Sequence, residues 1–501
     1  MQKRPNLTLA LISLAIFIGA VDLTVVSAAL PRVMVDMRVE IGSDLGRAAW
    51  VVSGYLLAYT VSMTFMGRLS DILGRRDVYL ICLGIFIAGS ALAAAAGSLE
   101  WLIVGRVVQA FGAGAMVPIS MALAGDIFPP ERRAAALGVI GAVDTAGWMV
   151  GHLYGGVLMR AFDSWRLLFW LNLPIGLLAL ALTWWALRGV PQRRAAGGFD
   201  WLGAALISAS LIAFNVGLSA GGELREDFYG ERAGPPAYAL PLVLAALALL
   251  AGFVWAERRS AHPLIDLTIF YDRGAAAACA INVMVGFALA LAITNVPLFI
   301  NTRLALQNPA DADILRRAAW ESGWMLSALT LTMAAAAVPG GWLAGRIGPR
   351  APALAGLALA LAGVLMMSRW GAESAYLTMG LELALAGLGL GLVISPVAEE
   401  VIAAAAEGRR GSASALVIAL RLVGMTAGVA ALTLYGVPRQ DALRRAGASN
   451  PLASSDPARF LMDVASQVIG ETFLLGAAAL ALALLAALWM RGGNDHPRGP
   501  M

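Results

Sequence analysis

The sequence predicts an all-α integral membrane protein built as two pseudo-symmetric six-helix halves with a two-helix hairpin inserted between them, about fourteen transmembrane helices in all. Three observations predict it. Of 501 residues, 59% are hydrophobic and only 14% charged, and the mean hydropathy is +0.76, far outside the range of water-soluble domains. Apolar runs such as 9–30, 101–125 and 470–490 reach the ~20 residues a helix needs to cross a hydrocarbon core, without the alternation a barrel strand would show. Finally, loop motifs near the front of the chain return near its back.

Taken in order, the apolar runs fall near 9–30, 48–67, 78–97, 101–125, 134–158, 165–188, 200–220, 237–256, 274–300, 322–344, 351–369, 375–398, 411–436 and 467–490. The first follows a basic start that includes Lys3 and Arg4, is too long for a signal h-region and carries Asp22, so it is expected to be retained. An even number of spans puts both termini on one side. The arginine pairs 75/76, 132/133, 193/194, 258/259 and 409/410 fall in loops of that side, which the positive-inside rule makes cytoplasmic, although Arg316, Arg317, Arg444 and Arg445 lie on the other side. The expected location is a bacterial inner membrane, multi-pass, with both termini cytoplasmic.

The repeat sets the domain boundaries. Gly67-Arg68-Leu69-Ser70-Asp71-Ile72-Leu73-Gly74-Arg75-Arg76 follows the second span, and Gly341-Trp342-Leu343-Ala344-Gly345-Arg346-Ile347-Gly348-Pro349-Arg350 follows the tenth. Glu131-Arg132-Arg133 before the fifth span is echoed by Glu407-Gly408-Arg409-Arg410 before the thirteenth. Residues 1–190 and 261–501 therefore read as the two halves, and 191–260 as an unrepeated transmembrane hairpin.

Composition also excludes functions. Cys82 and Cys279 sit inside apolar runs, and His152, His262 and His496 are scattered, so no disulfide framework, metal site or nucleophile–base pair is expected. The chain is read as not an enzyme. The net charge of +4 comes from arginines spread over short loops rather than gathered on one face, which argues against nucleic acid as a partner.

The Gly67–Arg76 loop resembles the cytoplasmic signature of the major facilitator superfamily. Its glycines permit a tight turn, and Asp71, Arg75 and Arg76 beside Gly67 and Gly74 can form a charge network that holds one conformation and breaks in another. Four further segments are similar to the fourteen-helix drug:proton antiporters of that superfamily. Ala20 to Pro31 places Asp22 inside the membrane, where a carboxylate needs a wet cavity, a cation or a proton. Gly105 to Gly114 supplies Arg106 at comparable depth, either as a switching partner for Asp22 or as half of a static structural pair. In the fifth helix Gly138, Gly147, Gly151 and Gly155 follow the antiporter spacing, with His152 where that signature has proline; small residues at this spacing suit a sliding helix interface. His152 is either a titratable group or a hydrogen-bonded structural residue. The segment 165–176 is similar to the same branch.

Three more buried ionisable residues are candidates. Asp144 and Arg421 occupy repeat-equivalent positions of opposite charge and are read as a lock between the halves, and Glu382 lies close to the repeat counterpart of Arg106. The resemblance implies a monomeric, proton-coupled secondary transporter without a cofactor, with the proton gradient as energy source, exporting lipophilic or amphiphilic compounds by alternating access. An alternative is export of envelope lipids such as triacylglycerides. It rests on a last helix starting at Asp456-Pro457 and projecting beyond the bilayer, and on segments 295–301, 322–330 and 421–425, which are similar to the triacylglyceride exporter branch, whose members work with a periplasmic lipoprotein. A transport-inactive membrane sensor is the third reading. The expected partners are the bilayer, a small hydrophobic or lipid substrate and that lipoprotein.

Overall fold

The computed structural model describes residues 5–37, 45–162, 164–190, 192, 194, 198–219, 238–307, 314–406, 409–447 and 450–492. Lys3, Arg4, Arg193, Glu407, Gly408, His496 and the side chains of His152 and Arg316 lie outside this set. The described residues form helices with no strand. They are α1 (Pro5–Asp36), α2 (Leu45–Leu73), α3 (Arg75–Ala94), α4 (Leu99–Ile127), α5 (Pro130–Phe162), α6 (Arg166–Leu187), α7 (Trp201–Ser219) and α8 (Ala239–Glu257). A 3-10 turn (Leu267–Tyr271) precedes α9 (Arg273–Gln307), α10 (Ile314–Ile347), α11 (Arg350–Met367), α12 (Tyr376–Ala404), α13 (Arg410–Ala431), a π turn (Leu432–Gly436), α14 (Val437–Ala446), α15 (Pro451–Ser455) and α16 (Pro457–Ala487).

Local chemistry explains the boundaries. Proline opens α1, α5, α15 and α16, where a missing N–H costs nothing. Ser98 caps α4 by accepting from Trp101 N at 3.4 Å, and Asp456 caps α16 by accepting from Arg459 N at 3.0 Å. The two repeated loops break their helices at equivalent glycines with positive φ, 109° at Gly74 and 84° at Gly348. Prolines inside helices, among them Pro118, Pro174 and Pro396, are tolerated because neighbouring helices satisfy the freed backbone groups.

Among the described residues twelve helices are long and apolar enough to cross a membrane; α2 and α5, of 29 and 33 residues, run beside them. One stretch differs from the sequence expectation. The thirteenth span does not end near residue 436 but passes through the π turn into α14, so that helical backbone continues to Ala446. Apolar periodicity stops there because α14 is polar, carrying Arg439, Asp441, Arg444 and Arg445.

α1 to α6 pack on one another, as do α9 to α13 with α16; α7 pairs with α8. The outward side chains include Trp101, Leu177, Leu178, Leu244, Leu247, Trp255, Leu377, Leu482 and Trp489, an apolar coat suited to lipid with tryptophans near helix ends. This is a multi-pass membrane protein.

Candidate functional site

Three groups of polar residues inside the bundle stand out, and they differ in how well they are satisfied. In the first, Asp22 of α1 is buried among α3, α4 and α6. Arg106 Nη1 donates to Asp22 Oδ2 at 2.5 Å and to Gln109 Oε1 at 2.8 Å. Gln109 Nε2 donates to Asp22 Oδ1 at 2.8 Å and Asn172 Nδ2 to the same oxygen at 2.7 Å, while Ser90 Oγ accepts from Gln109 at 2.8 Å. The Arg106 guanidinium also lies 3.9 Å from the centre of the Tyr55 ring. Every partner belongs to the first half, and both carboxylate oxygens accept hydrogen bonds from donors.

The second group lies between the halves. Asp144 of α5 is buried, and its Oδ1 has no hydrogen-bond partner. Arg421 of α13 and the phenol of Tyr59 on α2 lie within electrostatic reach, but Asp144 and Arg421 form no ion pair in this conformation. The sequence placed these opposite charges at equal depth; the structure brings them near each other without joining them.

The third group ties the halves together at the end of the bundle that carries the Gly67–Arg76 loop. Asp71 accepts from Gly411 N at 3.0 Å and Ser412 N at 3.1 Å, so a carboxylate of the first half caps α13 of the second. Arg75 donates to Asp71 at 3.1 Å and also pairs with Asp126. Arg410 pairs with Asp126 at 3.1 Å, and Arg133 with Glu399 at 3.7 Å. These last two are repeat-related: in each, an arginine opening one half's helix meets a carboxylate closing a helix of the other. Among the described residues Arg76 pairs with its neighbour Asp77 at 3.5 Å, within the first half.

Glycines make this closure close-fitting. A Cβ at Gly341 would lie 2.2 Å from Ala134 O, at Gly138 2.5 Å from Ala337 O, and at Gly67 2.7 Å from Ala415 Cβ. The α5 glycines divide, however. Gly138 faces the second half, whereas Gly147 and Gly151 pack on Ala20 and Thr24 of α1 within the first, so only the start of the stripe lies on a surface that relative motion of the halves would disturb. Gly155 is buried in the same helix. Glu382 is held elsewhere, accepting from Trp370 Nε1 at 2.6 Å.

Sequence reasoning missed Gln109, Asn172, Asp126, Glu399 and Tyr59. The first two carried a signal, being polar residues inside apolar spans, and Gln109 follows Arg106 by one helical turn. Among the described residues no cluster of His, Cys, Asp and Glu could hold a metal.

A helical bundle of two halves, latched at one end by repeated loops, is matched by comparison with known proteins. The sequence profile of the Major Facilitator Superfamily matches residues 12–429. The chain belongs to the major facilitator superfamily. Within this superfamily it is similar to a triacylglyceride transporter of Mycolicibacterium smegmatis, 30% identical over 520 residues covering 99% of this chain and 90% of the relative. It is likewise similar to a triacylglyceride transporter of Mycobacterium tuberculosis, 32% identical over 513 residues covering 97% and 95%. Two solved superfamily structures share the fold. They are the human organic anion transporter MFSD10 (TM-score 0.59, 17% identity, 96% of this chain and 100% of that one) and the proton:xylose symporter XylE (0.57, 15%, 97% and 99%). The chain is a transporter of this superfamily.

Proposed function

We propose that the protein is a proton-coupled exporter of neutral envelope lipids, such as triacylglycerides, in a bacterial inner membrane. The observation that carries this reading is the end-to-end match to triacylglyceride transporters, which runs through the polar α14 and the start of α16 beyond the apolar spans. Those elements form one arm. Arg439 reaches Glu471 with two hydrogen bonds, 2.8 and 2.9 Å, while Tyr435 and Gln467 donate to the same carboxylate. α16 is 31 residues long, about 47 Å at 1.5 Å per residue, against a hydrocarbon core of ~30 Å. A helical arm projecting past the bilayer reaches out of the membrane plane, as delivery of a lipid beyond the bilayer needs and release of a water-soluble drug does not.

Coupling follows from the contrast between Asp22 and Asp144. Asp22 is held by Arg106, Gln109 and Asn172, all of its own half. Asp144 has an oxygen to spare and faces a cation on the other half. Protonation of Asp144 removes its attraction for Arg421 and lets the halves separate; loss of the proton draws them together. The latch of Asp71, Arg75, Asp126, Arg133, Glu399 and Arg410 supports a conformation closed at the loop end, which the arginine bias assigns to the cytoplasm. The α14–α16 arm then stands on the periplasmic side, where a lipoprotein could receive the lipid.

The test is vesicle reconstitution with an imposed pH gradient, following a fluorescent triacylglycerol and a cationic dye in parallel. Gradient-driven movement of the lipid supports the reading. Movement of the dye alone would replace it with drug efflux, and movement of neither with a transport-inactive role.

A further inference from the structure

Of the fourteen tryptophans in the chain, three are followed four residues later by an arginine: Trp184 by Arg188, Trp255 by Arg259 and Trp342 by Arg346. The three pairs straddle the C-terminal ends of α6, α8 and α10. Those ends share one side of the molecule. Beyond α6, Gln192 accepts from Arg76 N at 3.3 Å and Arg194 pairs with Asp77 at 3.7 Å, beside the Gly67–Arg76 loop. Beyond α8, Asp266 pairs with Arg409, the neighbour of the latch residue Arg410. α10 runs directly into the repeated loop at Gly348. One pair therefore belongs to the first half, one to the inserted hairpin and one to the second half.

In each pair the guanidinium lies over the indole, its central carbon 3.4 Å (Arg188), 4.3 Å (Arg259) and 4.0 Å (Arg346) from the ring centre. The rings are 42, 57 and 49% exposed, and the arginines are exposed as well. Among the described residues no carboxylate pairs with any of the three guanidinium groups. Stacking occupies the flat face of the guanidinium and leaves its N–H edge unused. A fourth stack shows the contrast. Arg166 lies 4.3 Å from the Trp165 ring at the opposite end of α6, but that ring is fully buried and Arg166 donates to Ala96 O at 3.0 Å, so both groups are spent inside the protein.

Each exposed ring continues a lipid-facing stripe. Trp184 follows Leu177 by seven residues, Trp255 follows Leu244 by eleven and Trp342 follows Val338 by four, spacings that keep one helix face, and the three aliphatic residues are exposed too. The arginine stands one turn further on, where hydrocarbon gives way to headgroups. We propose that each stack is a clamp for the phosphate of an anionic phospholipid, with the indole resting among acyl chains and the free guanidinium edge donating to the phosphate oxygens. A soluble acidic partner would meet the arginine but would have to strip lipid from the ring beside it. With one clamp on each half and one on the hairpin, all three are held to the same headgroup plane at the loop end.

The test is to titrate the purified full chain in detergent with phosphatidylglycerol or phosphatidylcholine and count bound lipid by native mass spectrometry. Wild type should retain phosphatidylglycerol in preference to phosphatidylcholine. Arg188→Gln, Arg259→Gln and Arg346→Gln should each weaken one site about fivefold, and the triple variant should lose the preference. Two controls separate a clamp from diffuse positive charge. Arg258→Gln removes an exposed arginine beside Arg259 that stacks on no ring, and should change nothing. Trp184→Leu, Trp255→Leu and Trp342→Leu combined keep every charge and should still lose most of the preference; this variant also decides where the triple arginine variant fails to fold. Equal retention of the two lipids by wild type, or a preference that survives either triple variant, overturns the proposal. So does a loss from Arg258→Gln as large as from Arg259→Gln. Displacement of the lipid by excess inorganic phosphate would make these sites for free anions and overturn the lipid assignment.

Discussion

Asp22 and Asp144 are both carboxylates buried in the same half of the same bundle, yet their surroundings differ. Asp22 is surrounded by Arg106, Gln109 and Asn172, all from its own half, and each of its oxygens is satisfied. Asp144 keeps an unpartnered oxygen and looks across to Arg421 on the other half. A saturated carboxylate fixes the shape of a rigid unit; an unsaturated one between two units is free to change partners. The difference teaches where to look for coupling under the reading proposed above: at the carboxylate whose neighbours lie on the other half.

The sharpest way to break this comparison is Asp22→Ala. It leaves Arg106 buried without its counter-ion, and the expected loss of stability is about 3–5 kcal/mol, read as a large drop in the melting temperature of the purified protein. Asp22→Leu with Arg106→Met should recover most of that loss, because the pair anchors structure inside one half. A double variant no more stable than Asp22→Ala would show that the pair is not the anchor.

Next comes Gly341→Ala, whose added carbon meets Ala134 O at 2.2 Å. The closed loop end should be disfavoured by about 2 kcal/mol, roughly a thirtyfold shift in population. Greater reactivity of a cysteine placed at Ala134, measured with a membrane-impermeant maleimide, would report it; unchanged reactivity would mean that the halves do not part there.

Asp144→Asn should change stability by only about 1 kcal/mol or less, since no ion pair is broken. If the melting point fell as far as for Asp22→Ala, the two sites would not differ as described. The functional counterpart is the double exchange Asp144→Arg with Arg421→Asp, which should recover lipid movement lost in either single variant.

The smallest effect belongs to the surface. Partial burial raises the Asp266 carboxyl, but hydrogen bonds from Thr268 and the guanidinium of Arg409 outweigh this and hold it below the usual carboxylate range. A depressed carboxyl stabilises the fold above its unfolded value near 3.9 and loses that contribution as pH falls through the lower folded value. The pair is partly exposed, so Asp266→Asn should cost well under about 1 kcal/mol near neutrality. Its difference from wild type should vanish in melts at acidic pH, and a difference that grew on acidification would contradict the assignment.

Much of this architecture was legible from the sequence because membrane helices announce themselves by length and apolar composition, and because the loop repeat aligns Gly74 with Gly348, two glycines that the structure gives positive φ. Asp22 and Arg106 could be named as partners from charge and depth alone. Their ring of neutral partners could not, since Gln109 and Asn172 differ from ordinary packing residues only in which way they face. The arginine–carboxylate pairs joining Arg133 to Glu399 and Arg410 to Asp126 were half visible: the arginines stood out in the repeat, but carboxylates at the ends of α4 and α12 read as plain helix ends. The α5 glycines illustrate a further limit. Their spacing said that something packs closely, not that Gly138 meets the second half while Gly147 and Gly151 meet α1. The π turn at 432–436 left no trace in the periodicity, so the continuation into α14 was hidden.

The most direct test of the account is lipid movement in vesicles under an imposed pH gradient, comparing wild type with Asp144→Asn. The account predicts gradient-driven movement of triacylglycerol in wild type and none driven by the gradient in the variant, with both proteins folded and equally stable. Undiminished gradient-driven movement in Asp144→Asn would remove Asp144 from coupling and contradict the account.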